Sequence, residues 1–442
     1  MSTASLALVG AQQSGKTTAL AQLCHALKAF EEETSQQTED LAIELGRPAS
    51  RHTWILDALQ AERESGGTLE SSLQAFKSGG MSFCSIDTPG SSSLAKNVVS
   101  VTSLADIAVL VVSAAVGEYE AALDSGRLKE DALCCFAMGI KHVAVWVTKM
   151  DHQSVSFGEA RFEEVKKCLT TILKDVGYKQ KDPPILPISG LLGANLTSRS
   201  TEMPWYTGKS AAEVLEAFGA MNRPADKPLR LPILKVQSVP NVGTVIVGRV
   251  EAGTLRSGQR LLFAPSGQTA EVQSVRIFGS SGSEGKAGDI VSALMSESLQ
   301  KDDVYRGMVA SQSSDDPAAV AESFQAQVVV IEHPGEIRPG YCPQIAIHTA
   351  LVPCEFEELL AKIDKKTGKE LEASPASAKS GDIVSVQMRP RSKVCIEQFG
   401  AYASLGRFVV REGGRTVAVG VVKEVSKRPI RKARANENQY FD

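Results

Sequence analysis

The chain has 442 residues, 43% of them hydrophobic and 22% charged, enough apolar material for about two to four packed domains and too much for a disordered or low-complexity chain. A formal net charge of −3 excludes non-specific nucleic-acid binding through the whole surface, although a local basic patch survives that test. The eight cysteines contain no C-x-x-C pair, the usage expected of thiols in a reducing compartment.

The amino-terminal run MSTASLALVGA has no basic region ahead of its apolar residues and does not read as a secretory leader. Short β-branched runs predict strands over 6–9, 81–86, 107–112, 143–147 and 185–188, each apolar enough to be covered on both faces. The run 105–117 contains Asp106 and is too short to cross a bilayer. A soluble, cytoplasmic protein with no membrane partner is expected. Helices are predicted over 17–28, 52–64, 127–138, 157–176 and 211–220, and the polar, acidic stretch 30–50 fits a helical insertion. Strand–helix alternation implies a mostly parallel sheet covered by helices.

The character changes near Asn222. NRPADKPLRLP, at 222–232, has the proline and charge of a linker. Strand-like runs then follow at short spacing: KVQSV, GTVIVGRV, QRLLFA, AEVQSVRIF and DIVSALM. A second, weaker boundary falls at 311–321, and FQAQVVVIE, QIAIHTA, DIVSVQMR, FVVRE and TVAVGVVKEV come after it. The expected organisation is an α/β domain over 1–222 and two all-β barrels over 231–315 and 320–430. The tail carries five basic residues between Lys427 and Arg434 and reads as a solvated terminus.

Gly10-Ala11-Gln12-Gln13-Ser14-Gly15-Lys16-Thr17 fits G-x-x-x-x-G-K-[ST], between a predicted strand and a predicted helix. In such a P-loop the glycines let the backbone fold round phosphate, and loop N–H groups and the helix N-terminus supply positive potential. Gly10, Gln13, Ser14, Gly15, Lys16, Thr17 and Thr18 are the candidate phosphate contacts. Lys16 would neutralise β/γ-phosphate charge, and Thr17 would offer a hydroxyl to Mg²⁺. Asp87-Thr88-Pro89-Gly90 places a carboxylate at the end of the next strand for the metal, and Gly90 can turn its N–H to a γ-phosphate. Thr148-Lys149-Met150-Asp151 varies the N-K-x-D pattern of GTP-binding proteins. Asp151 would accept from guanine N1 and N2, and the Lys149 stem would stack on the base. Ser189-Gly190, after the following strand, would support the base from behind. Each element is weak in isolation, but four in order on successive strand ends point to a guanine nucleotide, GTP or GDP.

With those motifs in place, the chain resembles eukaryotic elongation factor 1-alpha, a translational GTPase family. WILDALQAERESGGTLE (54–70), MPWYTGK (203–209), DKPLRLPI (226–233) and VGTVIVGRVEAGTLRSGQ (242–259) carry the resemblance. So do HPGEIRPGYCPQIAIHTA (333–350), KIDKKTGKELE (362–372), KSGDIVSV (379–386) and LGRFVVREGGRTVAVGVV (405–422), so that it spans about 5–425. It implies a P-loop GTPase domain followed by two β-barrels. It also implies aminoacyl-tRNA and ribosome as partners, a guanine-nucleotide exchange factor, and Thr68 as a switch residue that ligates Mg²⁺ with GTP bound.

The departures bear on mechanism. The family follows D-x-P-G with a histidine that positions the attacking water; here that place holds Ser91. A serine cannot share a proton near neutral pH as imidazole does, and loss of such a group costs on the order of 10²–10⁴ in rate. Gln12 replaces an apolar gate residue. Ser65 and Gly67 stand where the family has arginine and isoleucine, and Gly67 loosens the switch segment. Ile290, in AGDIVS, replaces an asparagine of the family's aminoacyl pocket. Two readings follow: a GTP-dependent carrier of aminoacyl-tRNA with impaired hydrolysis, or a paralogue for which nucleotide is a structural ligand within a larger protein assembly.

Overall fold

The computed structural model describes residues 2–47, 51–57, 59–65, 68, 70–91, 95–178, 183–219, 221, 223, 225–278 and 282–428. Gly67, Asn222 and the tail beyond 428 lie outside the described residues. The chain forms two compact units, one built on residues up to 222 and the other on residues from 223 onward.

The first unit is a six-stranded sheet of β1 (Ser2–Val9), β2 (Ser72–Ser78), β3 (Met81–Asp87), β4 (Ile107–Ser113), β5 (His142–Thr148) and β6 (Ile185–Pro187). The spatial order is β2-β3-β1-β4-β5-β6. β3 and β4 are buried along their whole length, which explains their continuous apolar character. All neighbours run parallel except the β2–β3 pair. That pair turns at Gly79 and Gly80, with φ of 55° and 78°, a two-residue turn that asks for left-handed backbone twice.

The helices are α1 (Lys16–Ala26), α2 (Glu32–Glu44), α3 (Gln60–Ser65), α4 (Ala95–Thr102), α5 (Glu118–Asp124), α6 (Arg127–Ala137), α7 (Glu159–Val176) and α8 (Ala211–Ala217). The acidic stretch 30–50 thus contains α2, whereas β2, α4 and α5 have no counterpart among the expected elements. The single helix expected over 52–64 is a 3₁₀ turn, Thr53–Ile55, followed by the short α3. Across the break, Arg63 Nε and Nη2 donate to the carbonyls of Asp57 and Trp54 at 2.8 and 3.0 Å. Arg63 thus ties α3 back to the end of the 3₁₀ turn.

The sheet order reverses at β1, with β3 on one side and β4 on the other. The loops leaving the C-terminal ends of β1, β3, β5 and β6 therefore open on one edge, where open α/β sheets bind ligands.

In the second unit, β7 (Leu231–Val239), β8 (Gly243–Arg249), β10 (Arg260–Ala264), β11 (Gln268–Ile277), β13 (Ile290–Met295) and β14 (Val309–Gln312) close into a barrel. β9 (Thr254–Arg256) and β12 (Glu284–Lys286) form a separate ribbon. A seven-stranded sheet follows, of β15 (Val320–Val330), β16 (Gln344–Ile347), β17 (Ala350–Ile363), β18 (Glu370–Ala373), β19 (Ile383–Pro390), β20 (Arg407–Glu412) and β21 (Arg415–Arg428). Its order is β16-β20-β21-β15-β19-β17-β18, and β16 also pairs with β17, so six of the strands make a ring. Arg230, wholly buried, links the two β parts through Glu397 at 3.0 Å and Asp316 at 2.8 Å while stacking on Tyr402. Among the described residues no helix is long and apolar enough to cross a membrane.

Candidate nucleotide site

The loop between β1 and α1 owes its shape to three residues. Gln13 and Gly15 have left-handed backbone, with φ of 61° and 87°, the kind of conformation from which anion-binding concavities of N–H groups are built. Gly10 has no room for a side chain, because a Cβ there would sit 2.2 Å from the Val111 carbonyl oxygen. Lys16 is buried, and its Nζ donates to the carbonyls of Gly10 and Ala11 at 2.9 and 2.8 Å. An ammonium has three N–H bonds, so one stays available to a phosphate oxygen. Burial lowers the Lys16 pKa, against the opposing pull of Asp87 and Asp131. Asp131 lies buried on α6 and is paired with Arg127 at 2.9 Å.

At the start of α1, Thr17 Oγ1 donates to Asp87 Oδ2 at 2.6 Å and lies 2.9 Å from Thr68 Oγ1. Thr68 reaches the same carboxylate oxygen at 3.5 Å. Residues far apart in sequence therefore converge at one point as two hydroxyls and a carboxylate. Asp87 is fully buried, and its other oxygen, Oδ1, is buried without a hydrogen-bond partner. Burial pushes the Asp87 carboxyl above its usual range in spite of Thr17 and Lys16. A hard-oxygen donor set with an orphaned, buried carboxylate oxygen fits Mg²⁺.

Asp57 joins this cluster and was not foreseen. Its side chain bonds to Thr68, its Oδ1 is buried without a partner, and its carboxyl is pushed up to about 7 by burial and by the charges of Asp87 and Glu62. Glu62 holds the segment together, its two carboxylate oxygens accepting from the backbone N–H of Leu59 and Glu70 at 3.1 and 3.0 Å. A continuous helix over 52–64 hides this arrangement, because it makes Asp57 one acidic residue among several on a solvated face. With the break between the 3₁₀ turn and α3, the Asp57 carboxyl is buried instead.

On the base side, Thr148 is buried at the end of β5 and donates to Ser14 O at 2.5 Å, fastening this strand to the phosphate loop. Lys149 has a left-handed backbone, φ 57°, and its Nζ pairs with Glu118 at 2.7 Å. Burial alone would raise the Glu118 carboxyl, but hydrogen bonds from Lys149 and Ser113 carry it below its ordinary value. Asp151 is half-buried two residues on. Ser189 is buried and its Oγ accepts from Leu192 N at 3.1 Å. Gly190 abuts α1, where a Cβ would lie 3.0 Å from Ala19 N. Thr18 is half-buried on α1 and Gln13 is exposed at the loop tip.

Gly90 backs directly onto the phosphate loop. A Cβ there would come within 2.6 Å of both Gln12 Cα and Lys16 Nζ. Gln12 is exposed and Ser91 half-buried beside this contact. The histidines of the unit are engaged elsewhere: His25 and His52 with Glu39, His142 against the Phe218 ring, and His152 with Ser154.

The elongation factor Tu GTP binding domain family matches residues 1–238, elongation factor Tu domain 2 matches 243–310, and the GTP-eEF1A C-terminal domain-like family matches 323–423. Elongation factor 1-alpha of Stylonychia lemnae is 41% identical over 424 residues, covering 96% of this chain and 95% of its own. The oocyte form from Xenopus laevis is 40% identical over 436 residues, covering 96% and 94%.

The chain belongs to the elongation factor 1-alpha family. It is a GTP-binding factor of that type, built as a mostly parallel GTPase domain followed by β-rich domains. Elongation factor 1-alpha of Entamoeba histolytica, 39% identical, covers 98% of both chains, so the likeness runs from end to end. Among solved structures, the S. cerevisiae Ski7 GTPase-like domain bound to GDP and inorganic phosphate has a TM-score of 0.77 at 16% identity, covering 95% of this chain and 97% of that one. Translation elongation factor SelB from Methanococcus maripaludis, in complex with a GTP analogue, has a TM-score of 0.68 at 18% identity, covering 97% and 80%. These two likenesses bear on the fold alone.

Proposed function

We propose that this elongation factor 1-alpha family member is a Mg²⁺-dependent guanine-nucleotide switch that cuts GTP slowly. The observation that carries the reading is the convergence of Thr17, Thr68 and Asp87 beside the loop that holds Lys16. On this reading Gly10, Gln13, Ser14, Gly15 and Thr18 line the phosphates and Gly90 turns its N–H toward the γ-phosphate. Asp151 selects guanine, with Lys149, Thr148, Ser189 and Gly190 framing the base. Thr17, Thr68 and Asp87 would hold Mg²⁺, which would supply positive charge against that developing on the phosphates. Lys16 supplies the fixed positive charge, and Asp57, tied to Thr68, steadies the switch threonine. Ser91 can donate or accept a hydrogen bond but cannot take up the proton of an attacking water, so hydrolysis is slow.

The segments 1–222, 231–315 and 320–430 would then act as nucleotide domain and two β-barrels, with aminoacyl-tRNA, ribosome and an exchange factor as partners. A second reading is favoured by Ser91 together with Ile290, which is buried at the start of β13 and offers no hydrogen bond to an aminoacyl group. There the chain serves a larger assembly, and nucleotide stabilises its fold by mass action.

The deciding experiment compares ribosome-stimulated GTP turnover of the wild-type chain with Ser91→His, alongside filter binding of aminoacyl-tRNA in the GTP and GDP states. Slow turnover raised by Ser91→His, with GTP-dependent tRNA binding, supports the first reading. Robust wild-type turnover defeats the slow-hydrolysis claim. Weak tRNA binding indifferent to nucleotide state leaves the assembly role.

A further inference from the structure

His25 near the end of α1, Glu39 on α2 and His52 just ahead of the 3₁₀ turn bring three ligand atoms together away from the phosphate loop. His25 Nδ1 lies 3.8 Å from Glu39 Oε1, and His52 Nδ1 lies 3.1 Å from the same oxygen. The three ligand atoms are all within 4.8 Å of one another. The two imidazoles overlap, with centroids 4.2 Å apart and planes tilted by 31°.

A Zn²⁺ ion binds imidazole nitrogen and carboxylate oxygen at about 2.0–2.2 Å, which separates ligands at tetrahedral angles by roughly 3.3–3.5 Å. Two of the separations, 3.1 and 3.8 Å, fall within about half an ångström of that edge, and the third is no more than 4.8 Å.

His52 Nδ1 is buried and lies 3.1 Å from Glu39 Oε1, the same oxygen that His25 Nδ1 faces at 3.8 Å. Two imidazoles turn their Nδ1 atoms toward one carboxylate oxygen, an arrangement that a shared cation satisfies better than a single acceptor does.

We propose that His25, Glu39 and His52 form a binding site for one Zn²⁺-class divalent transition ion. The fourth position faces solvent on the side of the exposed His25. The ligands come from α1, from α2 and from the segment leading to Asp57. A bound ion therefore ties the acidic helical insertion to the stretch that supports Thr68.

Arg51 competes with this ion. Its Nε donates to His52 Nε2 at 3.1 Å, and a guanidinium cannot accept, so the imidazole proton sits on Nδ1. When an ion takes Nδ1, that proton moves to Nε2 through solvent and the exposed Arg51 side chain withdraws.

The test is calorimetric titration of the full chain with Zn²⁺ in excess Mg²⁺-GDP, which keeps the ion out of the phosphate site, followed by the visible spectrum of the Co²⁺ form. One ion binds with micromolar or tighter affinity, and Co²⁺ gives the intense bands of a tetrahedral site without a thiolate band in the near ultraviolet. His25→Ala and His52→Ala each weaken binding by more than the roughly 10–100-fold that loss of an outer-shell partner costs. Glu39→Gln, which keeps the shape of the side chain, weakens it too, and Arg51→Ala tightens it. Stoichiometric binding that survives both histidine substitutions, a thiolate band that places the ion on cysteine, or no binding in this range overturns the proposal.

Discussion

The hydroxyl of Thr148 donates to the carbonyl of Ser14 at 2.5 Å and reaches Val112 O at 3.2 Å. One β-branched side chain at the end of β5 thus fixes the base-side loop against the phosphate loop. Thr148→Val keeps the shape and removes the donor. We expect a loss of about 1–3 kcal/mol, the cost of leaving a buried acceptor unpaired. GDP dissociation followed with a fluorescent analogue becomes faster, and Thr148→Ser restores most of the difference. An unchanged dissociation rate in the valine variant would remove the coupling between the two loops.

Asp57 makes stability fall with rising pH. Its carboxyl is pushed up to about 7, so the folded chain holds a proton that an unfolded aspartate releases. With an unfolded pKa of about 3.9, the folded state binds more protons between about pH 4 and 7, and its stability declines across that window. In thermal melts of the nucleotide-free protein, Asp57→Asn flattens the decline and melts higher than wild type above about pH 7. Parallel wild-type and variant curves through the window would show that Asp57 is ionised throughout.

Much of this architecture is legible in sequence where one physical signal dominates. The buried parallel strands announce themselves as apolar runs, and the four loop motifs sit on the strand ends that bring them together. The long strand β17 was hidden for a different reason. Phe356, Leu359, Leu360 and Ile363 fall at helical spacing, yet burial alternates from Ala350 to Phe356 and then shifts at bulges between Phe356 and Glu358 and between Leu359 and Ala361. β2 was missed because it is an edge strand whose fully buried side chain is Phe76 alone, leaving a polar sequence. Asp57 is not legible in the sequence because its burial depends on the break between the 3₁₀ turn and α3, which periodicity does not record.

The buried Arg230 sets the stability of the β-rich unit. It pairs with Glu397, which is also paired with Lys427, and with Asp316. Breaking a buried pair costs up to about 3–5 kcal/mol, and without Glu397 the Arg230 guanidinium is left with the largely exposed Asp316 as its carboxylate partner. Glu397→Ala should therefore lower the denaturation midpoint of this unit sharply. Adding Arg230→Met costs much less than the sum of the single changes, as a double-mutant cycle in urea would show. Additive losses would mean that the two groups act independently.

Gly90 stands so close to Gln12 and Lys16 that any β-carbon at this position would displace the phosphate loop. The constraint is one of packing and is separate from any step of hydrolysis. A descendant of a working GTPase that has stopped turning over its nucleotide would still lose its fit for phosphate on mutating this residue. Survival of the D-x-P-G signature is therefore no measure of catalytic competence: the glycine is required for as long as the loop must keep its shape, whichever residue stands at position 91.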